Sequence, residues 1–501
     1  MVHFTPEQVE YIGTESLVHI APLDVAHYTL VCSLSLTFFA FTGAPTESLC
    51  LTMKKIMNRK ISVSVYFLVL VMFVGSCITV LFGASVRHVL LGNYRLGTFG
   101  EALLRVAEFP SLAKEVMGIM KDGSYSMVIE DRFPSLNGFK KAGKVPSGAL
   151  GDNGYIIFSS YDTVNKQSTV QLIRIADQHV IKEWTPDVDA ILGQVQSNIQ
   201  IHSVRLTHPM LLENGSLVLN IADGPLIKIG SSSAIEWLLD GTYHHSVELD
   251  AEGNIWACSV MHPSAYVGVL SYRDDAIAKI SPAGKVLFKK SIAKILEENG
   301  YRWLLAVGFR GRPNEDPIHL NEVQPALADS KYWKKGDLML SMRHLGTIAL
   351  YRPSTEKIIW LKTGPWMNQH DVEFVSDHEI SVFSNNVIDY FKGHVLMDGQ
   401  NDVSLYDFNT NTVSSPYKKA MKSLAVRTLT EGRSKLLSNG DVFIEETNYG
   451  RLLRLTPETA KWEFVRRVDK NHLSMPSWSR YLTEEQVRQG FPNFQSSTQH
   501  L

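Results

Sequence analysis

The longest uncharged apolar stretch of the chain covers residues 61 to 86, ISVSVYFLVLVMFVGSCITVLFGASV. About 20 apolar residues are enough to cross a hydrocarbon layer of ~30 Å as a helix, so this pattern predicts a transmembrane helix. The stretch is longer than the apolar region of a signal peptide, and no A-x-A-like cleavage site follows it. This favours an uncleaved anchor over a cleaved signal.

Basic residues flank the predicted span unequally. Those before it are Lys54, Lys55, Arg59 and Lys60, and those that closely follow it are Arg87 and His88. Because cytoplasmic flanks carry the excess of basic residues, we expect residues 1 to 60 to lie in the cytoplasm. The chain after residue 90 is then expected to face outward, into a periplasm or the extracellular space, and the protein to cross the membrane once.

Residues 25 to 46 form a second uncharged stretch, which is weaker because hydroxyl residues, Gly43 and Pro45 interrupt it. As a first span it would give a two-pass protein with a cytoplasmic loop over residues 54 to 60. A third interpretation is an over-long start of the chain, because Met53 and Met57 lie just before the strong span. The C-terminal part faces outward under each interpretation.

Residues 99 to 121, FGEALLRVAEFPSLAKEVMGIMK, have apolar positions near the helical period, interrupted by Pro110. This pattern predicts a helix that is broken or kinked at the proline. We therefore expect a helical juxtamembrane spacer over residues 90 to 144.

From about residue 145 the pattern changes to strands and begins to repeat. One half of the repeat is an apolar strand, a polar turn and a second, alternating strand. It reads SGALGDNGYIIFSS, HPMLLENGSLVLN, HSVELDAEGNIWACS, ALADSKYWKKGDLMLSMR, HDVEFVSDHEISVFSNN and SKLLSNGDVFIEET. Turns such as ENGS, AEGN and SNGD place Asn or Gly where a tight hairpin needs positive φ.

The other half of the repeat is a strand, a short polar turn and an edge strand that often carries Trp. It reads VQLIRIADQHVIKEW, PLIKIGSSSAIEWL, AIAKISPAGKVLFKK, GTIALYRPSTEKIIWL, DVSLYDFNTNTVSSPY and GRLLRLTPETAKWEFV. Six four-stranded units without intervening helices are typical of a β-propeller. We predict an all-β, six-bladed propeller over residues 145 to 470 and a C-terminal tail over residues 471 to 501. A pair of β-sandwiches is the weaker alternative, because it would not need the same hairpin six times.

Composition narrows the classes of function. The 501 residues include 49 Lys+Arg and 51 Asp+Glu, for a formal charge of -2. Binding of nucleic acid needs a clustered basic excess, so nucleic acid is not expected as the main partner. Cys258 is the single cysteine beyond the hydrophobic N-terminus. The main domain therefore has neither an internal disulfide nor a Cys-x-x-Cys metal site.

Histidines recur at the starts of the predicted channel-lining strands, which enter a propeller from one rim. The starts HPMLLENG, HSVELDAEG, HLNEV and HDVEFVSDH carry His208, His245, His319 and His370. Arg343 ends the second strand of its blade, and antiparallel pairing returns that end to the same rim. Asn321 lies two residues after His319 and points to the same side of the strand. These residues are expected to converge at one channel mouth.

A histidine at a blade start can also be a structural clip to a neighbouring blade, and His208, followed by Pro209, is assigned to that class. Crowded imidazoles and a guanidinium repel one another as cations, so the ring is expected to hold an anion or to keep its imidazoles neutral. Three histidines could bind zinc, but Arg343 is an unfavourable neighbour for a dication, and we predict no metal. Motifs of the G-x-S-x-G, P-loop and H-E-x-x-H types are absent from the sequence.

Together these motifs resemble the arylsulfotransferase family, outward-facing six-bladed propellers that move a sulfuryl group from an aryl sulfate to a phenol. HHSVELDAEGNIW resembles the family's first His-bearing blade start, and DPIHLNEV resembles its His-x-Asn motif. LSMRHLGTIALYRPSTEKIIW resembles the strand with the essential Arg, and NQHDVEFVSDHEISVFSNN the segment with the nucleophilic His. The resemblance covers roughly residues 145 to 470 and is strongest from 240 to 390.

The resemblance implies a PAPS-independent aryl-sulfate sulfotransferase without a cofactor, whose partners are an aryl sulfate donor and a phenolic acceptor. It makes His370 the nucleophile that is transiently sulfated, while the sulfuryl oxygens would be bound by His245, His319, Arg343 and Asn321. Ser246 replaces the acidic residue often found after the histidine, which leaves His244 as an alternative to His245. A membrane span and a helical spacer also stand in place of the separate N-terminal β domain of well-known members.

The alternative function is a non-catalytic propeller that binds a ligand or an envelope protein at the same face. Such a scaffold would have no reason to assemble the complete set of histidines, asparagine and arginine. A sulfatase-type hydrolase is a third hypothesis. It lacks support because the sequence has neither the formylglycine-type motif nor the carboxylate-rich metal site that it would need.

Overall fold

The computed structural model describes residues 17–18, 63–90, 96–100, 102–107, 131–141, 152–162, 167–195, 205–265, 272–309, 316–390 and 393–492. The chain divides into two compact units, Met1–Pro110 and Ser111–Leu501. The weak span predicted at residues 25 to 46 lies outside the described residues.

The first unit is dominated by one apolar helix. Its elements are the short strands β1 (Leu17–Val18) and β2 (Val63–Ser64) and helix α1 (Val65–Leu90). Residues Val65–Val89 are long and apolar enough to cross a membrane, and side chains such as Tyr66 and Met72 are exposed. The helix covers most of the span predicted at residues 61 to 86. By length and composition it is a candidate membrane span or signal sequence.

The predicted helical spacer is helical only in part. Residues 97–100 and 102–107 are helical. Residues Gly138–Lys141, at the end of the predicted spacer, instead form a strand, β3, which pairs with a strand of the second unit. A segment of four residues without a turn signal is too short to show a strand period in the sequence. Its conformation is determined by pairing with a distant strand.

The second unit is built from antiparallel sheets that follow one another along the chain. The first large sheet contains β4 (Tyr155–Asp162), β5 (Gln167–Arg174), β6 (Val180–Trp184) and the C-terminal strands β28 (Met475–Pro476) and β29 (Arg480–Leu482). The second contains seven strands, β7 (Leu206–Leu211), β8 (Leu217–Ile221), β9 (Gly224–Ile229), β10 (Ile235–Leu249), β11 (Ile255–Val260), β12 (Asp275–Ile280) and β13 (Val286–Ser291).

Three further large sheets follow. The third large sheet contains β14 (Leu320–Pro325), β15 (Leu338–Met342), β16 (Thr347–Arg352) and β17 (Lys357–Thr363). The fourth contains β18 (Gln369–Phe374), β19 (Glu379–Ser384), β22 (Asp402–Asp407) and β23 (Thr412–Ser414). The fifth contains β24 (Arg433–Leu436), β25 (Val442–Glu446), β26 (Arg451–Leu455) and β27 (Ala460–Val465), with β3 paired to β27. A two-stranded hairpin, β20 (Val387–Tyr390) and β21 (Gly393–Leu396), projects from the fourth large sheet. Short helices lie between strands, α2 (Val188–Leu192), α3 (Ile292–Glu298), α4 (Trp303–Phe309) and α5 (Lys418–Ser423), and helix α6 (Glu484–Gly490) follows the last strand.

Strand β10 joins two of the predicted units into one sheet. It is fifteen residues long. Its first part pairs with β9 from Ile235 to Tyr243, and its second part pairs with β11 from Tyr243 to Leu249. Gly241, with φ 146°, lies at the change of partner, where a side chain would be strained. Hydrogen bonding among the described residues therefore forms five large sheets, where the sequence predicts six separate ones.

Polar side chains connect each sheet to the next. Ser159 Oγ donates to Leu206 O at 2.5 Å, the backbone N–H of Val323 donates to Ser246 Oγ at 2.9 Å, and Asn321 Nδ2 donates to Gln369 O at 2.8 Å. Asn385 Nδ2 donates to Thr428 O at 3.0 Å. Because consecutive sheets are linked in chain order, the second unit has a mostly-β, propeller-like architecture.

The last sheet returns to the first through the C-terminal strands. Glu445 Oε1 accepts the backbone N–H of Trp478 at 2.8 Å, and its Oε2 accepts that of Ser479 at 2.6 Å. The predicted C-terminal tail starts at residue 471, but β28, β29 and α6 belong to the folded unit. The two strands are short and are separated by Trp478, whose φ is 57°, so they have no alternating pattern that the sequence analysis could detect.

Apolar side chains from neighbouring sheets form the core. Trp184 and Leu219 pack between the first two sheets, and Trp462 and Phe158 pack between the last sheet and the first. Cys258 is fully buried in such a cluster, in agreement with its predicted place in a strand. Apolar contacts on both sides of the closing strands therefore stabilise the ring of sheets.

We predict that Glu445→Ala destabilises the propeller by about 2–5 kcal/mol, because two buried N–H groups of the closing segment lose their acceptor. Glu458→Ala, at an exposed position of the same sheet, is the matched control and should change stability little. Thermal unfolding followed by circular dichroism measures both effects. Equal melting temperatures for the two variants would show that this contact does not hold the ring closed.

Candidate active site

Irregular strand pairing places the histidines. The inner strands β7, β10, β14 and β18 each shift register against their neighbour at or next to a histidine. His208, His245 and His319 have φ near 50°, a left-handed conformation that costs non-glycine residues roughly 1–3 kcal/mol. Trp478 has the same conformation between β28 and β29. Interruption of the strand alternation at one end of the inner strands lets these ring side chains meet.

Three of the predicted histidines form one cluster. The ring centroid of His245 lies 5.0 Å from that of His319 and 5.9 Å from that of His370. The centroids of His319 and His370 are 6.4 Å apart. One ring nitrogen from each lies within 4.8 Å of the others. Since His245 and His319 are only partly buried whereas His370 is 2% exposed, the cluster is a recess that closes at His370.

His370 is held in one tautomer by Asn385, the residue directly after β19. Asn385 Nδ2 donates to Thr428 O and Glu431 O, so its Oδ1 faces His370 Nδ1 at 2.5 Å. An amide oxygen only accepts hydrogen bonds, so Nδ1 of His370 carries the proton and Nε2 carries a lone pair. Nε2 is buried without a hydrogen-bond partner in the part of the chain that the structure describes. Burial and the nearby Arg343 guanidinium lower the pKa of His370 to about 3, so the ring is neutral.

Outer hydrogen bonds also orient His319 and His245. The Nδ1 of His319 is bonded to the Asp316 carboxylate. The Nδ1 of His245 lies 2.9 Å from that of His244, and Nε2 of His244 approaches Ser259 O at 3.3 Å. Burial, followed by the neighbouring imidazoles, lowers the pKa of both His245 and His319 well below the ordinary value.

Arg343 begins a short 3-10 turn, Arg343–Leu345, directly after β15 and is 5% exposed. Its backbone N–H donates to His319 O at 3.0 Å, which ties the turn to the cluster. Its Nη1 donates to Nε2 of His344 at 2.6 Å, and Nδ1 of His344 donates to Asp316 O at 2.6 Å. Because His344 accepts on one nitrogen and donates from the other, it is neutral and holds the guanidinium in place.

The remaining predicted residues have distinct places. His245 faces the cluster, whereas His244 lies behind it, 3% exposed, with its Nε2 3.4 Å from Asp275 Oδ1. Asn321 uses its Nδ2 to bind the Gln369 carbonyl, so it positions the strand that carries His370. His344, the residue after Arg343, has its ring centroid 4.5 Å from that of His319.

Sequence reasoning missed three residues of the site. Asn385 could have been found, because it follows a second strand just as Arg343 does. Asp316 precedes His319 by three residues, and a carboxylate at this spacing was a recognisable signal. Trp478, whose ring lies 5.6 Å from that of His245, had no signal, because the strands on either side of it were not predicted.

His208 does not join the cluster of three. Its ring stacks on Trp478 with centroids 4.9 Å apart, and within the described ranges neither of its nitrogens has a hydrogen-bond partner. Burial lowers its pKa well below the ordinary value. The contacts of His208 are thus those of a neutral packing residue behind Trp478.

Charged side chains lie farther along the inner strands. Arg433 Nη2 lies 3.7 Å from Asp371 Oδ1 and 3.6 Å from Glu373 Oε1, and Arg480 Nη1 lies 2.9 Å from Glu248 Oε1. These residues, apart from Asp371, line a cavity of about 700 Å³ whose described lining includes none of the cluster histidines. The ion pairs therefore belong to a space that is separate from the histidine recess.

Comparison with known proteins identifies the class. Residues 208–467, just over half of the chain, match the family described as arylsulfotransferase (ASST). The chain belongs to this family, which supports a sulfotransferase activity. The match contains every predicted site residue and ends before Trp478. Comparison with curated proteins gives no match.

Solved structures with a similar course of the chain are distant in sequence. A protein of unknown function from Bacteroides caccae is 10% identical, with a TM-score of 0.42, and the alignment covers 66% of this chain and 100% of that one. Hydrazine synthase of Kuenenia stuttgartiensis is 9% identical, with a TM-score of 0.35 and coverage of 63% and 80%. A catalytically inactive virginiamycin B lyase from Staphylococcus aureus is 10% identical, with a TM-score of 0.33 and coverage of 64% and 85%.

We predict that His208→Phe reduces the loss of stability in acid. In the unfolded chain His208 takes up a proton as pH falls through about 6.5, whereas in the folded chain it stays neutral to much lower pH. Folding stability is therefore complete above this pH and falls below it, by about 1.4 kcal/mol per pH unit for this residue.

Phenylalanine keeps the stack on Trp478 and removes the titration, so denaturant unfolding at pH 7 and pH 5 should show a smaller difference for the variant. His378→Phe is the control, because Asp377 raises the pKa of this partly exposed histidine and its loss cannot reduce the acid sensitivity. An unchanged pH dependence in His208→Phe would mean that His208 is protonated in the folded protein.

Proposed function

We propose that the protein is an aryl-sulfate sulfotransferase that transfers a sulfuryl group from a phenolic sulfate ester to a phenolic acceptor through a sulfohistidine, without PAPS. The observation that carries this proposal is the Nε2 lone pair of His370, which is buried beside Arg343 and has no hydrogen-bond partner within the described residues. A neutral imidazole is a competent nucleophile, and a covalent intermediate divides one difficult displacement into two.

In the first step His370 Nε2 attacks the sulfur, a nitrogen–sulfur bond forms, and the bond from sulfur to the phenolic oxygen breaks. The electron pair of that bond leaves with the phenolate. Charge on the sulfuryl oxygens is stabilised by Arg343, as in phosphoryl transfer. The proton stays on Nδ1 of His370 and is hydrogen-bonded to Asn385 Oδ1, which orients the ring while its positive charge develops.

The departing phenolate takes a proton from His319, whose Nδ1 is bonded to Asp316. Before the substrate binds, the pKa of His319 is well below its ordinary value. A bound anionic sulfate ester among the rings raises the pKa of His319, so substrate binding is coupled to uptake of a proton. In the second step His319 accepts the proton of the incoming phenol, whose oxygen attacks sulfur and returns the lone pair to His370.

His245 and Asn321 complete the proposed site. His245 contacts the edge of Trp478 and adjoins both other histidines, so it can bind the aryl group, or a sulfuryl oxygen when its second nitrogen is protonated. Asn321 acts from the neighbouring strand by holding the Gln369 carbonyl. His244 fixes the orientation of His245, so it contributes indirectly to binding of the substrate.

The six-blade count is part of the proposal. The division of β10 at Tyr243, where it changes partner, splits the seven-stranded sheet into two four-stranded blades. With the other four large sheets this gives six blades, and the C-terminal strands complete the first one. The histidines then come from inner strands of neighbouring blades at one end of the channel.

We expect a sulfated His370 to accumulate when donor is present without acceptor. The full chain in detergent is incubated with an aryl sulfate labelled in sulfur, and acid-labile label on the protein is measured. His370→Asn should abolish both label and transfer, while His378→Asn, at a partly exposed position outside the cluster, should change neither. Ping-pong kinetics should give parallel double-reciprocal lines.

Full labelling of His370→Asn would identify another nucleophile. Transfer with intersecting lines and no trapped label would favour direct displacement between two bound substrates. Binding of aryl sulfate without any transfer would instead favour the non-catalytic propeller.

The outward orientation of the second unit is also proposed, since it rests on the basic residues before α1. Protease added to intact cells or spheroplasts should digest a C-terminal epitope while a cytoplasmic marker survives. Protection of the epitope until the membrane is permeabilised would reverse the orientation. A product shortened at the N-terminus would show that α1 is part of a cleaved signal.

A further inference from the structure

The three clustered imidazoles present lone pairs toward one another. Nδ1 of His319 faces the Asp316 carboxylate and Nδ1 of His370 faces the Asn385 amide oxygen. Both of these partners only accept hydrogen bonds, so in the neutral rings each Nδ1 carries the proton. The other nitrogen of each ring is therefore an acceptor.

For the third ring, that of His245, the contacts of His244 determine which nitrogen carries the proton. Nε2 of His244 approaches two acceptors, Ser259 O at 3.3 Å and Asp275 Oδ1 at 3.4 Å, and therefore carries the proton. Nδ1 of a neutral His244 then accepts from Nδ1 of His245, 2.9 Å away. This leaves the second nitrogen of His245 with a lone pair as well.

From this arrangement we infer that His245, His319 and His370 form a binding site for a transition-metal dication of the Zn²⁺ or Co²⁺ type. Neutral imidazole is a common ligand of these ions, and three histidines with an open fourth position are a known metal environment. The ligand nitrogens lie within 4.8 Å of one another. Bonds of 2.0–2.1 Å to a shared ion require the rings to approach by about 1 Å.

The surroundings of the cluster support this inference in two ways. A carboxylate on His319 and an amide oxygen on His370 are the type of outer contact that fixes a metal-binding tautomer. His319 keeps 23% of its side-chain surface exposed, and His245 is also partly exposed. An ion can therefore enter from the open side of the recess.

Arg343 determines how tightly the cluster binds a dication, and occupation of His370 determines the effect on transfer. The charge of Arg343 repels a dication, so binding should be reversible. A bound ion would occupy the nitrogen of His370 that attacks sulfur. Metal binding itself does not depend on the proposed function, but its effect as a reversible inhibitor of sulfuryl transfer does.

The test uses the full chain in detergent, stripped with a chelator and titrated with Co²⁺ while its visible absorption is recorded. One equivalent should produce the intense bands of a tetrahedral site. His245→Asn and His370→Asn should each weaken binding on the order of 100-fold. Arg343→Gln should strengthen it, by on the order of ten-fold, because a neighbouring positive charge is lost.

His378→Asn is the matched control, because His378, Glu379 and Asp407 are another group of potential ligands outside the cluster. Circular dichroism verifies the fold of each variant, and two single ligand variants keep the test valid if one of them misfolds. The inference would be overturned by any of three results. These are equal Co²⁺ binding by the wild type and both folded ligand variants, loss of the bands only in His378→Asn, and absence of a one-equivalent spectrum in the wild type.

Activity separates this inference from the proposed function. Zn²⁺ should inhibit transfer and the chelator should restore it, while Arg343→Gln serves only for the binding measurement. Cobalt bands that depend on the histidines in a protein without transfer activity would support the metal site and contradict the transferase. Active transfer in a protein whose histidines do not bind Co²⁺ would support the transferase and contradict the metal site.

Discussion

The contact between the Glu445 carboxylate and the backbone N–H groups of Trp478 and Ser479 joins the last sheet to the first. The first sheet has no other described strand inside β4, so its inner position depends on residues from the far end of the chain. A propeller protects the edges of its sheets by arranging them in a ring, so the first and last sheets must meet. The position of each site residue therefore depends on closure by a short C-terminal segment.

Closure also builds part of the site directly. Trp478 reaches the edge of His245 and covers His208. The carbonyl of Val247 accepts Arg480 Nη2 at 2.7 Å, and Glu248 pairs with the same arginine. The strand that carries His245 is thus fixed by the closing segment on one side, and the family match, which ends at residue 467, does not include this contribution.

The second constraint is electrostatic. Imidazoles at these separations, beside a buried guanidinium, are compatible with folding when the rings are neutral. Asp316, Asn385 and His244 each accept a hydrogen bond from the Nδ1–H of one cluster ring, which directs three lone pairs into the recess. In the proposed function the same feature supplies a nucleophile for sulfur and takes up a proton when an anion binds, and in the inferred metal site it offers ligands to a dication. Arg343 favours the anion over the cation, so one arginine sets the chemical preference of the whole recess.

Much of the architecture follows from local sequence. The apolar helix near the N-terminus, the repeated hairpins, and the convergence of His245, His319 and His370 all follow from periodicity and antiparallel return, which act within one repeat. Arg343 was placed at the rim by the same rule. The tertiary structure decided what depends on distant partners: the pairing of β3 with β27, the insertion of β28 and β29 beside β4, and the continuity of β10 through two units. It also decided which of His244 and His245 faces the recess and which nitrogen of His370 is unprotonated. A hydrogen-bond partner such as Asn385 determines a tautomer only after the chain has folded, because the two residues are brought together by strand pairing and the amide itself is oriented by the next sheet.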